Sequence, residues 1–171
     1  MRYRITCFVL ALLVPVPFAS AFDEGRVSKL HALNECVVCD LGLADLQNLD
    51  PSYANLTGAV LRNANLAAAV LSASSLTDAD SRSIILQEVL LRNGNLVGAV
   101  LSTSSLNDAN IRGAILQGVL LRNANLMGTV LSRANLTDAD IRDVVLKKIW
   151  NTGTIYCNTE TNWDIENRDC P

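Results

Sequence analysis

The sequence predicts an all-β fold in which the chain winds into a four-sided solenoid with a short segment at each end. A period of five residues runs without interruption from residue 39 to residue 148. The third position is leucine or isoleucine in 20 of 22 units, and the first position is small in most of them. This period fits neither a helical turn nor a flat strand. Four turns of five residues close a square coil and stack equivalent positions at the strand spacing.

Residues 1–21 have the pattern of a signal peptide. They combine a basic start at Arg2 and Arg4, an apolar run over residues 5–18 and the small-residue ending Ala19-Ser20-Ala21. The run is shorter than the roughly 20 residues that span a bilayer, which disfavours a retained anchor. We therefore expect an exported protein without a stable membrane anchor, in the periplasm, in the medium, or in the thylakoid lumen of a host with thylakoids.

The composition of the remaining chain is typical of a regular, exported domain. Removal of residues 1–21 leaves 12 basic and 17 acidic residues, a net charge of −5. The whole chain is 50% apolar but only 5% aromatic, which indicates a narrow interior of leucine and alanine. An even number of cysteines favours disulfides over free thiols in an exported protein. The four that remain are Cys36, Cys39, Cys157 and Cys170.

Residues 22–38 precede the repeat and are predicted to form a short helical cap. Val27, Leu30, His31 and Leu33 give an apolar stripe at helical spacing, which we expect to lie across the first coil. A cap is expected because the open edges of a β-solenoid invite fibre growth. His31 is the one histidine of the sequence, and in this position we expect it to pack or to face solvent rather than to catalyse.

The repeat at residues 39–148 contains units of the form A-[DN]-L-x-x, such as ANLTG at 54–58 and ANLAA at 64–68. These units resemble the signature of the pentapeptide-repeat family. The resemblance implies a right-handed quadrilateral β-helix in which the first and third residues point inward and the other three face solvent. The 22 units correspond to 5.5 coils, a rod about 26 Å long at ~4.8 Å per coil.

Two units depart from the pattern, and a longer period lies above it. Pro51 cannot donate to a ladder, so its unit, LDPSY, is expected to be poorly formed. Ser81 puts a hydroxyl at a leucine position, where we expect it to bond a nearby carbonyl or a trapped water. Residues 59–88 realign with 89–118 and with 119–148. Thirty residues are one and a half coils, so recurring features alternate between opposite sides.

Residues 149–171 are predicted to form a C-terminal cap. The five-residue register is expected to end at Ile149-Trp150-Asn151, after which the chain becomes polar. Trp150, Tyr156 and Trp163 concentrate the aromatic residues in this segment. We expect these side chains to cover the last coil as a plug.

The two flanking segments resemble those of exported pentapeptide-repeat proteins from photosynthetic bacteria. The resemblance rests on the Cys-x-x-Cys-Asp-Leu entry at 36–41 and on Tyr156-Cys157-Asn158-Thr159 followed by Cys170. We predict the disulfides Cys36–Cys39 and Cys157–Cys170, because a rod holds its two ends farther apart than the ~7 Å that a disulfide spans. The Cys-x-x-Cys spacing leaves two alternatives open, a thiol-redox pair and half of a zinc site.

The sequence favours binding over catalysis. An active site needs convergent groups in a concavity, whereas this sequence has neither a nucleophile–base constellation nor a glycine-rich phosphate loop. Asp40, Asp45 and Asp50 lie five residues apart, on successive sides of the coil, and cannot converge. We predict a non-catalytic scaffold or protein-interaction module without a cofactor or metal, whose partner is an unknown protein or a second copy.

The family resemblance raises one alternative function, DNA mimicry. The quinolone-resistance members bind gyrase through an acidic rod. Two features argue against this function here: the signal peptide directs the protein away from the cytoplasm, and residues 39–148 carry nine basic and ten acidic residues, a near-neutral balance. We expect no nucleic-acid partner.

Candidate contact residues occupy the second position of the unit, where aspartate or asparagine is usual. Twenty-residue stacking places Val60, Val100 and Leu120 on one side, and Val70, Leu90 and Val130 on the opposite side. The neighbouring pairs Val100–Leu120 and Val70–Leu90 are predicted to form two small apolar patches for a partner or a second copy.

Arginines line one side of the predicted coil. They are Arg62, Arg82, Arg122 and Arg142, with Ser102 in the gap, while Arg92 and Arg112 stack on the opposite side. The first set is either a strip that binds a partner or an anion, or a solvated face whose repulsion is offset by nearby aspartates.

Overall fold

The five-residue units fold as alternating bridges and turns. In the computed structural model, which describes residues 24–162, the second residue of a unit pairs in parallel with the residue 20 positions later, with Asp50 as an exception. The pairs run from Glu35↔Asn55 to Asp140↔Glu160. The Val60 amide donates to the Cys39 carbonyl at 2.8 Å, and the Leu41 amide donates to the Val60 carbonyl at 2.7 Å. Four units therefore complete one coil, as predicted.

A β-turn separates each bridge from the next. The amide that follows the turn donates to the carbonyl of the third residue, as from Ala59 to Leu56 at 3.0 Å. The fifth residue has a positive φ, 56° at Asn63 and 53° at Asp78, as the third residue of a type II turn does. Asparagine and aspartate tolerate this left-handed conformation better than most residues, which accounts for their frequency at the fifth position.

The interior is a stack of leucines and small residues. The third-position leucines other than Leu146 are almost fully buried, with 0–1% exposed at Leu61, Leu91 and Leu126. The first-position alanines, such as Ala64 and Ala109, are 0% exposed and lie in the same core cluster. The inward placement predicted for the first and third positions is confirmed.

The helix α1, Glu24–Leu33, packs on the N-terminal coil through part of the predicted stripe. Leu30 is 1% exposed and belongs to the core cluster, and Val27 packs against that cluster. The prediction is wrong for Leu33, which is 63% exposed. Steps of three residues drift by about 60° around a helix, so the second step, to Leu33, leaves the contact face. The His31 side chain lies outside the described part of the structure.

The unit that contains Pro51 is better formed than the sequence predicts. Pro51 is buried, and the turn is closed by the Ala54 amide, which donates to the Pro51 carbonyl at 3.0 Å. Asp50 makes no bridge to Val70, because proline has no N–H for the Val70 carbonyl. The Ser52 hydroxyl reaches that carbonyl at 3.4 Å instead.

Ser81 does not make the carbonyl contact that was expected. Its hydroxyl is buried and has no hydrogen-bond partner among residues 24–162. By contrast, the hydroxyl of Ser74 donates to the Leu71 carbonyl at 2.6 Å. The reason is position in the unit: a first-position serine directly follows a turn, so its hydroxyl reaches the turn carbonyl, whereas a third-position serine begins the turn.

The prediction that the register ends at residue 149 is wrong. Trp150, Ile155 and Glu160 bridge to the preceding coil like the residues before them. The hydroxyls of Thr154 and Thr159 each donate to a carbonyl of that coil at 2.8 Å. Backbone ladders do not require leucine, so the coil outlasts the sequence pattern. Trp150 is 69% exposed, which contradicts its expected role in a plug.

Several predictions concern residues outside the described range. The signal peptide at 1–21, Trp163 and Cys170 lie there. Within residues 24–162, no helix has the length and apolar character needed to cross a bilayer.

Candidate functional site

Cys36 and Cys39 form a disulfide at the entry to the first coil. Their Cα atoms are 5.4 Å apart, a usual separation for this bond. Cys36 is 1% exposed, and its amide donates to the Asn55 carbonyl of the next coil at 2.8 Å. The disulfide therefore closes the turn between Cys36 and Cys39, and the amide hydrogen bond joins this turn to the next coil. Cys157 is 6% exposed, and its pairing with Cys170 stays a prediction.

Two opposite sides of the β-helix carry the predicted contact residues. We call them the Asp80 side, formed by the second-position residues numbered 40, 60 and onward to 160, and the Leu90 side, formed by those numbered 50, 70 and onward to 150. They lie ten residues, or half a coil, apart. Bridges join the neighbours within each side, except Asp50 and Val70.

The predicted apolar neighbours are adjacent in the structure. Val100 bridges to Leu120 on the Asp80 side, and Val70 bridges to Leu90 on the Leu90 side. The two leucines are each 41% exposed, and the two valines are half-buried. On the Asp80 side, Asp80 separates Val60 from Val100, as expected from the sequence.

Asp80 is held between two arginines from adjacent coils. Arg82 grips its carboxylate with two hydrogen bonds, Nε to Oδ1 at 2.9 Å and Nη2 to Oδ2 at 2.8 Å. Arg62 donates from Nε to Oδ2 at 2.6 Å. The hydrogen bond from Arg82, reinforced by that from Arg62, outweighs burial and holds the pKa of Asp80 well below its usual range.

Asp140 repeats this arrangement 60 residues later. Arg142 donates to both of its carboxylate oxygens at 2.8 Å, and Arg122 binds it from the coil below. Arg142 also pairs with Glu160 at 2.5 Å. Asp140 is only 6% exposed, an exception to the outward placement of second positions. The four arginines of the predicted strip thus each hold an aspartate, two to Asp80 and two to Asp140. The sequence placed aspartates nearby but did not predict this two-sided contact.

The Leu90 side extends farther than the sequence indicated. Bridges connect Leu90 to Asn110, Asn110 to Val130 and Val130 to Trp150. Trp150 was missed as a member of this side because the register was expected to end before it; continued twenty-residue counting would have found it. Beside Trp150 lies a shallow cleft of about 450 Å³, lined by Asp108, Gly128, Lys148, Ile149 and Trp150.

The arginines of the Leu90 side differ from those of the Asp80 side. Arg92, Arg112 and Arg133 are exposed, and none takes part in an ion pair within residues 24–162. Glu88 and Asp108, in the turns that precede this side, are likewise exposed and without an ion pair in the described range. The same part of the chain contains no group of three histidine, cysteine, aspartate or glutamate side chains that could hold a metal ion.

Five-residue units, a twenty-residue coil and a stacked leucine interior define the class of protein as a solenoid of short repeats. The sequence model of the family described as "Pentapeptide repeats (8 copies)" matches residues 39–78, 84–123 and 116–147, more than half of the chain. The chain therefore belongs to the pentapeptide-repeat family, and its fold is a right-handed β-helix.

Solved structures of this family are similar to the chain. A pentapeptide repeat protein, Rfr23, from the cyanobacterium Cyanothece 51142 is 28% identical, with 82% of this chain and 99% of that one covered and a TM-score of 0.46. A pentapeptide repeat protein from the Arabidopsis thaliana thylakoid lumen is 29% identical over 62% and 70% of the two chains, with a TM-score of 0.47. QnrB1, a plasmid-mediated fluoroquinolone resistance protein, is 16% identical over 80% and 88%, with a TM-score of 0.38. Comparison with curated proteins found no match.

Proposed function

We propose that the protein is an exported, non-catalytic interaction module whose contact surfaces are the two opposite sides of the β-helix. The observation that carries this proposal is the pair of outward apolar contacts, Val100–Leu120 and Val70–Leu90, at positions that the repeat normally gives to aspartate or asparagine. Leu90 and Leu120 are each 41% exposed on a surface that the backbone hydrogen bonds hold rigid. A partner can therefore bury this apolar area without the entropy cost of ordering a flexible loop. The titratable groups that meet beside these contacts, such as Asp80 with Arg62 and Arg82, form ion pairs with one another on the surface.

Val60 and Val130 lie on the same two sides and are separated from the patches by Asp80 and Asn110 respectively. The patch on the Asp80 side is bordered by arginines whose side chains are 36–52% exposed, namely Arg62, Arg82, Arg122 and Arg142. These arginines give that surface a polar rim, the usual surrounding of an apolar contact. Because Asp80 and Asp140 already engage hydrogen-bond donors of all four arginines, the contact they support is a protein rather than a free anion or a nucleic acid.

Export is the second part of the proposal. The pattern of residues 1–21 supports it, and a disulfide at Cys36–Cys39 is suited to an oxidising compartment outside the cytoplasm. We place the protein in the periplasm, the medium or a thylakoid lumen. N-terminal sequencing of the mature protein should begin at Phe22, and an intact Met1 end would contradict export.

The test compares patch variants as baits. Mature protein is incubated with extract of its own compartment, together with Val100→Asp/Leu120→Asp, Val70→Asp/Leu90→Asp and the control Ile85→Asp/Ile115→Asp, whose isoleucines are 37% and 43% exposed on the other two sides. We expect the wild-type and control baits to recover the same amount of a partner protein. One of the two patch variants should recover less than a tenth of that amount. All variants should keep the wild-type circular dichroism spectrum, because the inward ladder is unchanged. Equal recovery by all four baits would overturn the proposal.

A further inference from the structure

We propose that the Leu90 side binds the Leu90 side of a second copy, with the two rods parallel around a two-fold axis. This inference deepens the proposed function, since it assigns one of the two contact surfaces to self-association. It rests on the charges at the two edges of that side and on the apolar residues between them.

Acidic and basic residues occupy opposite edges of the Leu90 side. Residues 89–91 lie between two turns, with Glu88 in the turn before them and Arg92 in the turn after them. One coil later, Asp108 and Arg112 flank the side in the same way. The side therefore has a negative edge and a positive edge over two successive coils, about 4.8 Å apart.

This distribution is complementary to itself in one orientation. A two-fold axis parallel to the rods, between two facing copies, exchanges the edges and keeps every coil at the same height. Glu88 then faces Arg92 of the second copy and Asp108 faces Arg112, which gives four ion pairs by symmetry. An antiparallel arrangement would bring like charges together, at a cost to binding. Charge therefore selects the parallel dimer.

The middle of the same side supplies the apolar contact. Val70, Leu90 and Val130 point outward along it, and Leu90 lies at the height of the Glu88 and Arg92 turns. A two-fold axis through this line places each leucine against its symmetry mate. The Asp80 side cannot substitute, because its arginines and aspartates already satisfy one another within the chain.

The size of the contact sets its expected strength. The stretch from Val70 to Trp150 covers five coils, about 19 Å at the strand spacing. One side of the coil is about three residues, or ~10 Å, wide, so this stretch offers roughly 200 Å², well below the roughly 800 Å² per partner of a standard stable complex. We therefore expect a dimer that forms at high protein concentration and weakens as added salt screens the rim ion pairs.

Sedimentation velocity with charge-exchange variants tests the arrangement. Wild type should dimerise as its concentration rises. Association should weaken at least ten-fold in two variants, Arg92→Glu/Arg112→Glu and Glu88→Arg/Asp108→Arg. In each of them, both edges of the Leu90 side carry the same charge, so two copies of the variant repel each other. An equimolar mixture of the two should recover association. The second variant is structurally reasonable because Arg133 occupies the same turn position, with a φ of 62°.

A matched control separates local charge from net charge. Asp78→Arg/Asp138→Arg changes the net charge as Glu88→Arg/Asp108→Arg does, at the same turn position on another edge, and should dimerise like wild type. A wild type that stays monomeric, or a mixture that does not recover association, would overturn the dimer. Neither result affects the bait experiment, in which loss of a different protein with the Val100→Asp/Leu120→Asp variant would still support the proposed function.

Discussion

At the scale of single residues, Ser81 places a polar side chain at an interior position that the fold gives to leucine or isoleucine. It occupies a leucine site between Leu61 and Leu101 of the adjacent coils, and those two side chains are 0% exposed. The buried hydroxyl has no partner within residues 24–162. An unsatisfied buried hydroxyl costs about 1–3 kcal/mol. The equivalent residues of the other two 30-residue copies are Ile111 and Ile141, both well buried.

We therefore predict that Ser81→Ile raises the free energy of unfolding by about 1–3 kcal/mol, since it removes the orphan hydroxyl and buries an aliphatic side chain. Urea denaturation followed by circular dichroism measures the change. Because an added side chain can overpack a tight core, Ser81→Ala serves as a second variant. It should be more stable than Ser74→Ala, which loses a hydrogen bond of 2.6 Å to Leu71. The reverse order would show that the Ser81 hydroxyl is satisfied.

At the scale of the repeat unit, the sequence predicted the coil and its interior because one rule acts at every unit. A buried leucine and a small first residue are required by close packing, so they recur at third and first positions and can be counted. The prediction was wrong where that rule ends. In the last coil the third positions are Asn151, Tyr156 and Thr161, so no leucine marks the period. The first-position residues Thr154 and Thr159 still hold this coil through hydroxyl–carbonyl bonds.

The surface was predictable in position but not in contact. Stacking by 20 residues correctly made Val100 a neighbour of Leu120. It could not show that Arg82 would grip Asp80 with two hydrogen bonds, because long side chains choose among rotamers that a period does not specify. Those rotamers decide whether the charged side chains on one side of the β-helix form ion pairs or stay unpaired.

Pro51 offers a test of how local a coil defect is. Pro51→Leu supplies an N–H to the Val70 carbonyl, so the new amide should be protected from hydrogen exchange and bridge position 50 to position 70. The added hydrogen bond, about 0.5–1.5 kcal/mol, is offset by the greater freedom of the unfolded chain without proline, about 0.4–1 kcal/mol. The global free energy of unfolding should therefore change by less than about 1 kcal/mol.

Amide exchange monitored by NMR measures the protection, with Pro51→Ala as the control that restores the N–H without the larger side chain. Both variants should protect the amide at position 51. Exchange at the unprotected rate in both would mean that the first coil does not close across this unit.

At the scale of the whole molecule, the stability of the rod should depend on acid through Asp80. This carboxylate joins Arg62 and Arg82 from adjacent coils, so it couples the coils as well as balancing charge. Its folded-state pKa is lowered, chiefly by the hydrogen bond from Arg82. A group with a depressed pKa stabilises the fold fully above its unfolded value, about 3.9 for aspartate, and progressively less as the pH falls toward the folded value.

We predict that Asp80→Asn lowers the Tm at pH 7 by about 2–4 °C, the shift that ~1 kcal/mol produces in a chain of this size, because Arg62 and Arg82 then face each other without a counter-ion. Wild type should lose more Tm between pH 7 and pH 3 than the variant does, so the two melting curves should converge in acid. The control Asp78→Asn changes an exposed aspartate that makes no ion pair among residues 24–162, and it should keep the wild-type acid slope. Parallel pH profiles for wild type and Asp80→Asn would show that the two arginines do not use this carboxylate to hold adjacent coils together.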